Sequence, residues 1–264
     1  MAKRTKKPAP PTVSDILLRK GYFPKELPPP FGTASLATAI KTGSTGIMSL
    51  FLSEKKRWTQ ICGYSFARPS RIRRRLSIPN PLSMTYLTDS IDRNYSDINN
   101  KIKRSHFTLS GPVRKPGLGR AFTPGLQDGS LPDSRAERRS AGKYLVQADI
   151  ANFYPSVYTH SIPWSIEGRS AVKARLFPPR GTPRGVPTYG DELDEALRNG
   201  NSGQTVGLPI GPDTSLILAE LLLSDVDQRM DNEAKPAAGM RYYDDYELTY
   251  RTAAEAENGL SVAL

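Results

Sequence analysis

Three aspartates, Asp149, Asp244 and Asp245, have the residue type and setting to do chemistry. Asp149 closes the run Tyr144-Leu145-Val146-Gln147-Ala148-Asp149-Ile150, which reads as a strand ending on a carboxylate. Asp244 and Asp245 join two more strand-like runs, Met240-Arg241-Tyr242-Tyr243 and Tyr246-Glu247-Leu248-Thr249-Tyr250, as the tip of a hairpin. Three carboxylates drawn to one spot would repel one another and resist ionisation. Two divalent cations held about 3.5–4 Å apart would relieve that repulsion. Such ions could activate an attacking 3′-hydroxyl and stabilise a leaving pyrophosphate. Asp149 and one of the Asp244/Asp245 pair would bridge them, with the Ile150 carbonyl as a further ligand. Clustered aspartates alone would also fit a metal-dependent nuclease.

The surrounding sequence must supply the elements that position these groups. Residues 214–230 hold Leu216, Ile217, Leu218, Ala219, Leu221, Leu222 and Leu223, apolar nearly all round, which predicts a helix buried against a sheet. Met84, Leu87, Ile91, Tyr95, Ile98 and Ile102 recur at three- and four-residue spacing and predict one amphipathic helix. Ser14 is placed to cap a short helix that Gly21 ends. Three prolines at 28–30 predict an extended segment. Residues 36–41 form a weak helical stretch broken by Gly43 and Gly46. Arg71-Ile72-Arg73-Arg74-Arg75-Leu76-Ser77-Ile78-Pro79-Asn80-Pro81 joins a basic cluster to a strand-like alternation. Residues 110–140 and 178–205 read as loops, the latter with room for a short helix at 191–198. The last dozen residues, 253–264, look like the start of another helix.

Composition narrows the partners. The chain has 264 residues and a net charge of +11, which suits a polyanion because Lys and Arg displace counterions from phosphates. Cys62 is the only cysteine, and His106 and His160 are the only histidines. A disulfide is therefore excluded within the chain, and a bound metal would be a hard ion held by carboxylates. The basic start, Met1-Ala2-Lys3-Arg4-Thr5-Lys6-Lys7, lacks a following signal-peptide core, and no apolar run is long enough to span a membrane. The expectation is a cytoplasmic protein without a membrane partner.

Taken in order, the motifs resemble those of bacterial reverse transcriptases. Asp149-Ile150-Ala151-Asn152-Phe153-Tyr154 is similar to the family's first palm motif. Gly207-Leu208-Pro209-Ile210-Gly211-Pro212-Asp213-Thr214-Ser215 is similar to the second, and Tyr242-Tyr243-Asp244-Asp245 to the third. Arg75-Leu76-Ser77-Ile78-Pro79-Asn80-Pro81 and its helix are similar to the fingers region. The resemblance implies an α+β fold: right-hand polymerase fingers and palm, an antiparallel palm sheet backed by helices. It implies a basic arm at 1–12, an N-terminal extension and fingers at 13–143, and a palm at 144–264. Asp149, Asp244 and Asp245 would hold Mg²⁺ (or Mn²⁺) and be catalytic. Ile150, Tyr154, Pro209 and Gly211 would surround the incoming nucleotide, with Tyr154 crowding a 2′-hydroxyl. Arg73, Arg75 and Arg120 are candidates for phosphate or template contacts. The implied partners are RNA, DNA and dNTPs, with room for a homo-oligomer.

Two departures refine the likeness. Ile210 stands where group II intron and retron enzymes usually carry Gln. Residues 22–31, the run Tyr154-Pro155-Ser156-Val157-Tyr158-Thr159-His160-Ser161-Ile162-Pro163-Trp164 and the Gly-Leu-Pro-Ile-Gly-Pro loop look like the defence-associated, abortive-infection type. His160 and Trp164 read as structural. The sequence ends 19 residues after Asp245, before the thumb that such polymerases carry, so the expectation is a fragment or a chain completed by another polypeptide. The rival readings are a mobile-element reverse transcriptase and a truncated palm that only binds nucleic acid.

Overall fold

The carboxylate-bearing segments form one antiparallel sheet, seen in a computed structural model that describes residues 10–28, 30–42, 49, 53, 57–67, 73–114, 119–126 and 130–263. The order of elements is α1 (Val13–Lys20), α2 (Ala34–Thr42), β1 (Cys62–Ala67), β2 (Arg73–Ile78), α3 (Pro81–Arg93), α4 (Tyr95–Ile102), β3 (Pro112–Val113) and β4 (Thr123–Pro124). Then follow α5 (Leu131–Arg139), β5 (Tyr144–Asp149), α6 (Phe153–Ser156), α7 (Ser161–Glu167), α8 (Arg169–Leu176), α9 (Tyr189–Gly200), α10 (Asp213–Glu233), β6 (Ala238–Tyr242), β7 (Asp245–Tyr250) and α11 (Ala253–Ala263). This is a mixed α+β fold with small antiparallel sheets. Strands β5, β7 and β6 lie in that order, so β7 is central. Strands β1 and β2 form a separate hairpin, and β3 pairs with β4. Among the described residues no helix is long and apolar enough to cross a membrane.

The predicted buried helix is α10. Ile217, Leu218 and Leu221 are fully buried, and Leu216, Leu222 and Leu223 nearly so. Each large apolar side chain contributes about 1.5–3 kcal/mol on leaving water, so this helix anchors the core. It packs against α4, α7 and α11. Where α10 meets the sheet it also buries Glu220 and Asp227, seven residues apart on one face.

Several expectations need correction. The stripe from Met84 to Ile102 is two helices, α3 and α4, because Asn94 leaves helical geometry (φ −114°, ψ 12°). Its side chain donates to the Ser90 carbonyl at 2.8 Å, competing with the helical ladder. The N-cap of α1 is Thr12, whose hydroxyl accepts from the Asp15 N–H. Ser14 instead turns inward, its hydroxyl 3.1 Å from that of Thr88. Around the prolines the chain closes turns, Leu27 N–H to Pro24 O and Phe31 N–H to Pro28 O, instead of extending; Pro29 lies outside the described residues. The 110–140 loop contains the β3–β4 pair and α5, and α9 is longer than predicted, its start fixed by a Thr188/Asp191 capping box. Residues 1–9 of the arm, the glycine break at 43–46, Arg71 and Ile72 lie outside the described residues.

Candidate active site

Backbone register brings the three aspartates together. Asp149, last in β5, pairs directly with Asp245, first in β7. Asp244 is the second of two turn residues between Tyr242 and Asp245, which are themselves paired. The Ile150 N–H donates to the Asp244 carbonyl at 3.3 Å, tying the strand end to the turn. The Ile150 carbonyl accepts from Phe153 N–H at 3.2 Å, which leaves one of its two lone pairs for another ligand. Burial, then the charges of Asp149 and Asp245, push the Asp244 carboxyl above its usual range, against its own N–H and Arg74. Asp245 is pushed up by burial and by Asp149, with Arg135 pulling the other way. No ion pair holds any of the three among the described residues.

The turn rests on a buried polar network. Tyr243 has a left-handed backbone (φ +57°), a conformation that costs a non-glycine residue about 1–2 kcal/mol. Its N–H donates to Ser110 Oγ at 2.8 Å, and its carbonyl accepts from Arg241 Nη1 at 2.8 Å. Ser110 Oγ in turn donates to Glu220 Oε1 at 2.7 Å. Arg241, fully buried, reaches Glu220 at 2.9 Å and Asp227 at 2.8 Å. Tyr246 and Ser105 hydroxyls complete Asp227, and the Thr108 hydroxyl donates to Glu220. Burial alone would lower the Arg241 pKa, but Glu220 and Asp227 more than reverse this and raise it. The guanidinium therefore stays charged.

Tyr154 and the Gly207–Pro212 loop meet by backbone pairing. Leu208 N–H donates to Tyr154 O at 2.7 Å, and Gly207 N–H to Val157 O at 2.8 Å. Tyr154 packs on the main core, and burial raises its phenol pKa, with Glu220, Tyr243 and Asp244 acting the same way. The loop is also held by the β1–β2 hairpin, since Ser77 N–H donates to the Ile210 carbonyl at 2.8 Å. Pro209 precedes that anchored residue and borders a small apolar gap with Met84, Leu87 and Leu197. Gly211 (φ +121°) is required there: a Cβ would overlap the Pro24 ring. A cavity of about 380 Å³ opens between hairpin and loop, lined by Arg75, Ser77, Pro155, Asn201, Gly207 and Ile210.

The basic candidates separate. Arg73 is exposed, with its guanidinium on the Ser65 hydroxyl (2.7 Å) and carbonyl (2.9 Å). Arg75 lines the cavity. Arg120 is spent within the chain, donating to the Phe23 and Gly211 carbonyls and to Asp213. Asp213, 5% exposed at the start of α10, also accepts from the Ala121 and Phe122 N–H groups. Burial raises its pKa and Arg120 opposes the rise, so the pair clamps three segments together. Arg74, which the sequence reading passed over, is the β2 arginine whose charge acts on both Asp244 and Tyr154. Strand alternation could have found it, because Arg74 shares a face with buried Leu76. Asp213, Glu220 and Asp227 carried no comparable signal.

His160 and Trp164 sit apart from the carboxylates, beside a larger cavity of about 640 Å³ that touches none of the predicted site residues. His160 Nδ1 lies 2.7 Å from Asp194 Oδ2, and Arg169 stacks over Trp164 at 5.0 Å.

Among the described residues no three acidic, His or Cys side chains form a ready-made cation cage. The donor set nonetheless fits a hard divalent cation. Three carboxylates on adjacent backbone positions, two with raised pKa values, are what a cation would draw together. No protein-family model matches the chain, and no curated protein matches it significantly.

Proposed function

We propose that this protein is a reverse transcriptase that makes DNA from dNTPs by two-metal phosphoryl transfer. The β5–β7–β6 sheet and its helices would be the palm of a right-hand polymerase, and the β1–β2 hairpin part of its fingers. The observation that carries this reading is the pairing of Asp149 with Asp245 beside the strained turn bearing Asp244. The nuclease alternative accounts for the aspartates but gives no role to the Tyr154–Leu208 bond or the hairpin-anchored loop.

Each residue then has a task. Asp149, Asp244 and Asp245, with the Ile150 carbonyl, would hold Mg²⁺ or Mn²⁺. Bound there, the ions would lower the pKa of a 3′-hydroxyl and offset charge on the leaving pyrophosphate. Tyr154, half-buried and fixed by its backbone bond to Leu208, would present a wall that excludes a 2′-hydroxyl. Arg74 adds positive potential beside Asp244 and suits the triphosphate. Arg75, Gly207, Leu208 and Ile210 border the cavity, a suitable floor for the nascent base pair and template. Arg73 would contribute only to the general attraction of a polyanion, and Arg120 to the shape of the Gly211 loop.

The net charge of +11 supports RNA and DNA as partners. Likeness to the abortive-infection type makes antiviral defence in the cytoplasm the proposed setting. The test is labelled dNTP incorporation with Mg²⁺ or Mn²⁺, by the purified chain and by Asp244→Asn/Asp245→Asn, with an RNA template and primer and with neither. Incorporation abolished in the variant supports the reading, and persistence without template favours untemplated synthesis. Incorporation retained by the variant would overturn it, and none by either protein would favour the nucleic-acid-binding alternative.

A further inference from the structure

We propose that Ser110 and Arg241, held by Glu220, are positioning residues that fix the place of the Asp244 carboxylate and so set cation affinity at the site. Tyr243 is the residue before Asp244, and its left-handed backbone is gripped at both polar groups by side chains. Ser110 Oγ takes its N–H at 2.8 Å, and Arg241 Nη1 takes its carbonyl at 2.8 Å. Glu220 joins the two grips, accepting from Ser110 at 2.7 Å and from Arg241 Nη1 at 3.0 Å. The network is buried: Ser110 and Arg241 are 0% exposed and Glu220 1%.

A two-residue turn needs no buried salt bridge to close. Glycine would adopt the positive φ at no steric cost, yet tyrosine stands here and the chain bears the strain. The grip lies on the side of the turn that determines where the next residue points. Rotation of the Tyr243–Asp244 peptide would swing Asp244 away from Asp149 and Asp245 while leaving the β6–β7 ladder intact. Ser110 comes from a loop and Glu220 from α10, so the hairpin tip is indexed to the core helix. Partners of metal ligands commonly change metal affinity by about 10–100-fold when removed.

The inference rests on the two-cation reading, so its test includes a measurement that needs no metal. In protein labelled with ¹⁵N-tyrosine, Ser110→Ala should speed hydrogen exchange of the Tyr243 amide by about tenfold or more relative to the Tyr246 amide in β7. Mn²⁺ binding, followed by the electron paramagnetic resonance of the free ion, should weaken by about 10–100-fold in the same variant. Thr108→Val is the control: it removes another hydroxyl from Glu220 at 2.8 Å without touching Tyr243, and should leave both readouts unchanged. Glu220→Gln, of the same shape, provides a second variant should Ser110→Ala melt early. Unchanged Tyr243 exchange, or equal effects from Thr108→Val, would overturn the positioning role. Faster exchange with wild-type Mn²⁺ affinity would overturn its link to the cation. Faster exchange in a protein whose wild type binds no Mn²⁺ would support the grip and overturn the two-cation reading instead.

Discussion

Two acidic clusters flank the same hairpin and are treated in opposite ways. Beneath it, Glu220 and Asp227 are almost fully buried and share the Arg241 guanidinium, with four hydroxyl groups completing their acceptors. At its tip, Asp149, Asp244 and Asp245 are more exposed, and no ion pair among the described residues compensates them. The lower cluster satisfies its charge internally, because an unpaired ion at that depth would cost several kcal/mol. The upper cluster keeps its charge without an ion pair among the described residues, Arg74 and Arg135 offsetting it only in part, at a place open to ligands. Carboxylates gathered at a strand end and a turn without an ion pair invite a compensating group from outside the chain, and a hard cation fits.

The contrast can be broken at either end. Asp244→Asn/Asp245→Asn should lower dNTP incorporation by at least about a hundredfold to a thousandfold, measured as kcat/KM. The same variant should unfold at a higher temperature at neutral pH. The sign follows from the raised carboxyl pKa values of Asp244 and Asp245. A folded pKa above the unfolded one means the folded state binds more protons, so stability falls as pH rises through the folded value. Replacing the carboxylates removes that loss, and denaturation from pH 4 to 7 should show a shallower decline in the variant.

At the lower cluster the sign reverses. Arg241→Ala should cost about 3–5 kcal/mol, read by urea denaturation, because it strands two buried carboxylates. If it cost no more than a surface substitution, the contrast between the clusters would fail. Gly211→Ala should cost about 1–3 kcal/mol, since the new methyl meets Pro24 at a positive φ. It should also weaken dNTP binding if the loop borders the nucleotide. The smallest effect separates neighbours on one strand. Arg74→Ala should raise the KM for dNTP by about tenfold, the scale of one charge-assisted contact, and Arg73→Ala by much less.

The sequence revealed the upper cluster but not the lower. Local pattern was enough for β5, the β6–β7 hairpin and α10, because alternation and apolar runs reflect burial directly. The three aspartates were legible because each sits at a strand end or turn. The lower network joins Ser110 to Glu220 and Arg241 to Asp227 across distant elements, and buried charges leave no periodic trace. Helix α5, Leu131–Arg139, buries none of its residues and so offered no stripe to detect. The break at Asn94 was hidden by apolar spacing that continues through it, a side-chain bond outweighing the periodicity. Arg120 looked like a phosphate ligand, and only its burial partner Asp213 shows where its donors go.

The most direct test of the central claim is the melting temperature of the wild-type chain and of Asp244→Asn/Asp245→Asn, with and without millimolar Mg²⁺ or Mn²⁺ at neutral pH. Without the ion the variant should be the more stable, and the ion should raise the wild type alone and close the gap. A wild type no less stable than the variant, and indifferent to either ion, would contradict the account.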